Sequence, residues 1–377
     1  MSVTLTDTGL RVALPNGEAY FNAFWLRDNC PNSFDAETRE RVFDICALDG
    51  DPVIAAAQVD GDALVVDWQG EDHQSRYDLD WLAGCAKGAP RPDAAAIPRA
   101  LWRSDKVFQR FNRADLDCDQ GRCDWARALI EDGVAIVEGL ADSDAALTDL
   151  ANLLGEVRPS VAGSYFDVRV HIDPVNLSYT AAELELHTDT PAEETPPGVQ
   201  FLHCRANSVE GGDSLFLDGA AVAEAFRIEH PDEFELLATV TAPFYYEHDA
   251  FDWRSRQRVI ELDANGAVSG LTVSQHMADV FDMPQELLDR YYPAFVRFMR
   301  WLRRSDYLVR FRLNAGECIV FDNHRIVHGR AAYSADSGHR HLRGCYIDRG
   351  ELRSTYRTLF RKTGQTAPSQ GQSERHE

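Results

Sequence analysis

The 377-residue chain has no apolar run approaching the ~20 residues that cross a bilayer as a helix. Its opening residues, MSVTLTDTGLRVALPNG, lack the basic stretch followed by an apolar one that marks a secretory leader. A surplus of basic charge is missing too. Lys and Arg number 38 against 61 Asp and Glu, for a net charge of −23. So acidic a chain repels phosphate backbones and anionic lipid, which argues against a nucleic-acid or membrane partner but not against a small cationic ligand. There is no Gly-rich phosphate loop, no Gly-x-Ser-x-Gly elbow and no internal repeat. The eight cysteines (Cys30, Cys46, Cys85, Cys118, Cys123, Cys204, Cys318, Cys345) are scattered rather than framed, as expected for reduced, mostly buried thiols in a cytoplasmic protein.

Apolar residues make up 44% of the chain and charged ones 26%, enough for a well-packed core. Residues 1–85 read as a small β-rich N-terminal domain, with turn residues between short apolar stretches. Residues 86–122 open on a Pro- and Ala-rich run and read as a linker. The main domain spans 123–363, and a polar, disordered tail 364–377 follows. Within the main domain WARALIEDG is helical and VAIVEGL a buried strand. SDAALTDLANLLGEV is a helix with Ser143 as N-cap. Strands GVQFLHC, SLFLDG, RVIELD, LVRFRL, ECIVFD and LRGCYID then mix with the helices AAVAEAFRIEHPDEFELLATV and PQELLDRYYPAFVRFMRWLRR. Many strands without βα alternation predict a mainly β, α+β fold, an antiparallel sandwich or barrel with helices outside.

His187 and Asp189 in LELHTDTP share one face of an extended segment, so both can ligate one metal. The same spacing recurs at His171/Asp173 and His230/Asp232, and a surface or capping role is the commoner fate of any single such pair. His187 differs because VFDNHRIVHGRAAY supplies a third ligand, His328. Two His and one carboxylate on one face of a six-coordinate ion form the facial triad of non-haem Fe(II) oxygenases. The open positions accept a 2-oxo acid and dioxygen, and Arg340 in GHRHLRGCYID offers a planar fork for the far carboxylate of that acid.

On the stretches FWLRDNCP, FDVRVHIDPVNLSYTAAELELHTDTP, PPGVQFLHC, GGDSLFLDG, FDNHRIVHGRAAY and RHLRGCYIDRGEL, the chain resembles the γ-butyrobetaine hydroxylase branch of the taurine-dioxygenase-like, Fe(II)- and 2-oxoglutarate-dependent oxygenases. The resemblance spans nearly the whole chain. It implies a double-stranded β-helix (jelly-roll) catalytic domain behind a small β-rich domain, in a homodimer. It implies that His187, Asp189 and His328 hold Fe(II), and that Arg340, Ser214 and Leu184 bind the cosubstrate 2-oxoglutarate. It implies an aromatic cage of Tyr179, Phe166 and Tyr346 around a trimethylammonium group, with Asn176 on the substrate's anionic end. A quaternary ammonium has no N–H, so aromatic faces and shape alone can recognise it.

The chain also departs from that pattern. Family members often carry a structural zinc on three Cys and one His. Here Cys30 and His73 match two of those ligands, but Asn32 and Asp35 replace the middle cysteines, so zinc is not expected. Ala162 replaces a cage Tyr, Thr190 replaces an Asn after the metal motif, and Ser274 falls near a family Asn. His171 and Arg343 add basic groups. A phosphonate has three oxygens and up to two charges, so it needs more room and more donors than a carboxylate. The expected reaction is therefore hydroxylation of 2-(trimethylamino)ethylphosphonate, a step in phosphonate catabolism, at the carbon next to phosphorus; His171, Ser274 and Asn176 join the cage in binding it. The alternatives are γ-butyrobetaine hydroxylation to carnitine and a non-catalytic jelly-roll that binds such a ligand.

Overall fold

Alternating apolar residues set the first strands. In Gly9–Leu14 the side chains Leu10, Val12 and Leu14 are buried while Arg11 is exposed. The structure, a computed structural model, describes residues 2–88, 93–169 and 180–364. It divides into two units, Met1–Asp93 and Ala94–Glu377. The first holds two antiparallel three-stranded sheets: Val3–Thr6, Gly9–Leu14 and Gly17–Asn22, and Ile54–Asp60, Ala63–Trp68 and Gln74–Asp78. Their core is Leu10, Val12, Leu26, Leu64, Val66, Tyr77 and Leu82. Cys30 is buried, and His73 Nε2 lies 3.2 Å from Ser75 Oγ. Asp35 Oδ1 accepts the backbone N–H groups of Glu37 and Thr38 at 2.9 and 2.7 Å, so that carboxylate is committed to a turn.

The second unit is a sandwich of two sheets. The six-stranded sheet runs Arg110–Asn112, Val134–Glu138, Cys318–Asp322, Val199–Asn207, Arg340–Ile347, Phe166–Val168. The four-stranded sheet runs Leu184–His187, Ile326–Arg330, Ser214–Asp218, Val309–Phe311. All pairings are antiparallel except Arg110–Asn112 with Val134–Glu138. Alternation then decides what each face meets. Outward residues Val137, Phe201, Val320 and Ile347 pack with Trp125, Leu147 and Tyr356 from helices Asp119–Asp132, Asp144–Ala151 and Arg349–Thr363. Outward Leu215, Leu217 and Val327 of the other sheet pack under Gly219–Glu229, Pro231–Thr239 and Gln285–Trp301. Inward Phe216, Phe321, Ile319 and Leu342 meet between the sheets. This is the sandwich expected from the strand-rich pattern and the jelly-roll that the family resemblance implies. Among the described residues no helix is long and apolar enough to cross a membrane.

The ion pair Asp218–Arg325, almost wholly buried, ties this unit together. Arg325 grips the carboxylate with Nε at 3.1 Å and Nη2 at 2.7 Å, and donates to the carbonyls of Glu131 and Ala100. Asp218 also accepts the N–H groups of Ala220 and Ala221, capping the helix Gly219–Glu229.

Two expectations are corrected here. The stretch 86–122 is not a linker throughout: Arg110–Asn112 is an edge strand, and Trp102 and Phe108 are buried between the sheets. Pro and Ala announce irregular backbone but say nothing of burial. The helix AAVAEAFRIEHPDEFELLATV is two, broken at His230, because Pro231 cannot supply the N–H that would continue the first. That break makes His230/Asp232 a helix junction. Ser143 does cap its helix, accepting from Ala146 N at 3.2 Å. The expected tail beyond residue 364 lies outside the described residues.

Candidate active site

Strand pairing assembles the centre. His187 ends the strand Leu184–His187 and stands directly opposite His328 of Ile326–Arg330, which sets the two rings 4.4 Å apart. Asp189, two residues on, brings Oδ1 to 3.1 Å from His187 Nε2 and 3.6 Å from His328 Nε2. One ligand atom from each of the three lies within 4.8 Å of the others. His187 Nδ1 is 2.7 Å from the Glu185 carbonyl; donating there leaves the Nε2 lone pair for a metal. Burial lowers the His328 pKa to about 3 and keeps its ring neutral, the form that ligates. Burial opposes charge on Asp189 as well, but His328, His187 and the Tyr346 hydroxyl outweigh it and hold the carboxyl well below the usual range. Two imidazoles and one carboxylate on one side of a cavity are a donor set that fits Fe(II) with positions left open. Of the other His-x-Asp pairs, His171/Asp173 lies outside the described residues.

The cavity, about 250 Å³, runs between the sheets on either side of this centre. At one end lie Arg340, Ser214, Leu184 and Leu342. Arg340 is buried, and its Nε and Nη1 have no hydrogen-bond partner among the described residues. Burial, with neighbouring Arg330 adding to it, lowers its pKa to about 10, so it remains a cation. A desolvated guanidinium with idle donors calls for an anion. Ser214 pairs across the sheet with Arg330, whose Nη2 donates to the Thr180 and Ala182 carbonyls at 2.8 and 2.7 Å. Gln200 Oε1, buried and with no hydrogen-bond partner among the described residues, lines the cavity from the strand position opposite Tyr346.

At the other end lie Phe166, Tyr346, Ala162 and Thr190. Phe166 and Tyr346 stack at 5.1 Å and 28°. Phe166 lies over Gly344, where even a Cβ would come within 2.3 Å of the ring. Tyr346 OH donates to Asp189 Oδ2 at 2.7 Å. Tyr179, Asn176 and His171 lie outside the described residues.

Two candidate donors face elsewhere. Arg343 points outward on its strand, opposite in sense to Leu342 and Tyr346, and pairs with Asp167 at 2.9 Å. Ser274 is fully buried and absent from the cavity wall; its hydroxyl lies 3.3 Å from His276 Nδ1. His276 lines the cavity in its stead, edge-on to His187 at 5.1 Å, with its pKa lowered to about 4 by burial. Reading the sequence also missed the hairpin Thr241–His248/Phe251–Arg258, whose Tyr246, His248 and Phe251 reach the cavity. The aromatic run FYYEHDAF was the available signal, but an exposed hairpin and a cavity wall share that composition.

Residues 103–346 match the family described as taurine catabolism dioxygenase TauD, TfdA family. A γ-butyrobetaine dioxygenase of Pseudomonas sp. (strain AK-1) is 35% identical over 94% of this chain and 94% of its own. A human γ-butyrobetaine dioxygenase is 31% identical over 91% and 92%. A crystal structure of AAD-2 in complex with Mn(II) and N-oxalylglycine superposes with a TM-score of 0.53 at 14% identity, covering 66% of this chain and 97% of that one, and so agrees in fold. A centre able to hold iron, an idle buried arginine beside it and a family match across most of the chain converge: the protein belongs to the TauD/TfdA family and is an Fe(II)- and 2-oxoglutarate-dependent dioxygenase.

Proposed function

We propose that the enzyme hydroxylates a small zwitterion bearing a trimethylammonium group, with γ-butyrobetaine as the first substrate to test. The observation that carries this reading is the unequal cavity. One end holds a buried, idle arginine, and the other is walled by rings and carries no Lys or Arg among the described lining residues. Fe(II), held by His187, Asp189 and His328, supplies together with 2-oxoglutarate and dioxygen the oxidising power for C–H hydroxylation. Arg340 and Ser214 bind the far carboxylate of 2-oxoglutarate, and Leu184 and Leu342 keep water from it. Phe166 and Tyr346 present ring faces to the ammonium, each worth ~0.5–2 kcal/mol. Fixing the nitrogen there turns the second carbon from it toward the metal, the carbon that becomes hydroxylated in γ-butyrobetaine.

The names of the relatives support a carboxylate substrate: γ-butyrobetaine dioxygenases at 35% and 31% identity, and a chicken trimethyllysine dioxygenase at 27%. 2-(Trimethylamino)ethylphosphonate is the second reading. Ala162 on the cavity wall favours it by leaving room for a tetrahedral group, while the outward turn of Arg343 removes one donor from it. Its attacked carbon is also the second from nitrogen, so the same register serves both. Steady-state competition decides. A higher kcat/KM for γ-butyrobetaine is expected; a higher value for the phosphonate reverses the order, and no 2-oxoglutarate consumption with either removes the trimethylammonium reading.

A further inference from the structure

Asp189 is held at points beyond its place in the triad. Its N–H donates to Asn323 Oδ1 at 2.7 Å, and its carbonyl accepts from Asn323 Nδ2 at 3.2 Å. Asn323 is buried, and Nδ2 also reaches the Pro197 carbonyl at 3.0 Å, so the amide cannot turn. Thr190, the next residue, has φ +50°, a left-handed conformation that β-branched residues avoid. These contacts set the main chain. The side chain is held separately. Oδ1 faces His187 and His328, while Oδ2 accepts the Tyr346 hydroxyl at 2.7 Å.

A carboxylate with both oxygens free can chelate an ion and occupy two of its positions. A facial triad needs it to occupy one, because a 2-oxo acid takes two positions and dioxygen a third. We propose that Tyr346 is a positioning residue whose hydroxyl holds Asp189 Oδ2 off the metal and so preserves the position that the 2-oxo acid requires. Stacking on Phe166 fixes the ring, so the hydroxyl stays aimed. The inference rests on His187, Asp189 and His328 holding the ion and is independent of which zwitterion is hydroxylated.

The test uses metal-free full-length protein. Mn(II) is titrated in and followed by the EPR signal of the free ion, and the Mn(II)-loaded protein is then titrated with 2-oxoglutarate by calorimetry. Tyr346→Phe keeps the ring and loses the hydroxyl. Its affinity for 2-oxoglutarate is expected to fall about tenfold or more, the size of effect seen when a partner of a metal ligand is removed. The visible band of the anaerobic Fe(II)–2-oxoglutarate complex is expected to shift, and Tyr346→Leu to lose affinity to a similar degree. A Tyr346→Phe affinity within twofold of wild type overturns the proposal. So does a loss confined to Tyr346→Leu, which would trace the effect to the ring. Wild-type Mn(II) binding by His187→Ala would overturn the triad reading itself, and this inference with it.

Discussion

The two ends of the cavity are built differently. The end beside Arg340 stands on strands: Leu184, Ser214, Arg330 and Arg340 come from four paired segments whose register places each side chain. The end beside Phe166 and Tyr346 draws on less regular backbone: the turn around Val161 and Ala162, the short edge strand Phe166–Val168, the left-handed Thr190, and a hairpin. Its shape depends on side chains reaching across. Glu193 Oε1 accepts the Val161 N–H at 2.9 Å while Arg158 pairs with Oε2 at 2.9 Å. A scaffold that changes cheaply at one end and expensively at the other can vary its substrate and keep its cosubstrate.

This contrast can be broken at its centre, beneath it, or at either end. The largest effect belongs to the metal ligands that both ends share. His328→Ala and Asp189→Ala should each abolish turnover and Mn(II) binding while far-UV circular dichroism stays near wild type; turnover in either variant would detach the chemistry from the triad. Next comes the support under both ends. Arg325→Met leaves Asp218 buried and uncompensated, and should cost ~3–5 kcal/mol in urea unfolding. Adding Asp218→Leu should recover part of that loss, which a purely steric role of Arg325 would not allow. At the strand-built end, Arg340→Leu should weaken 2-oxoglutarate binding about 100-fold, the cost of unpairing a buried charge. Substrate affinity should hold in that variant, and a parallel loss of both would merge the two ends into one site. At the irregular end, Phe166→Ala should weaken trimethylammonium binding about tenfold, as expected for removing one ring from a cation site. Its KM for 2-oxoglutarate should not move.

The same division decides what could be read from the sequence. Motif residues on strands were legible because a period of two and a fixed register turn spacing into geometry: His187 and Asp189 share a face, and His328 meets them by pairing. Alternation also turns Arg343 away from Arg340 and Tyr346. Ser274 was misplaced because it precedes a single helical turn, Gln275–Met277, where alternation no longer applies; His276 took the wall. Trp102 and Phe108 were lost in a segment marked by its prolines, since only tertiary packing reveals that an irregular stretch crosses a core. Asn323 carried no signal at all. An Asn five residues before a His reads as a turn, and its grip on Asp189 joins residues 134 apart.

Gly344 carries a consequence for the width of the pocket. Phe166 fills the volume that any other residue's Cβ would claim, so the ring rests on bare backbone and is seated one carbon deeper than a side chain would allow. The strand thus works as a depth stop. A methyl at 344 would lift the ring off its seat, part it from Tyr346, and narrow the space over the metal. The bore of this cavity is set from behind its wall, at a residue that is not part of the wall itself.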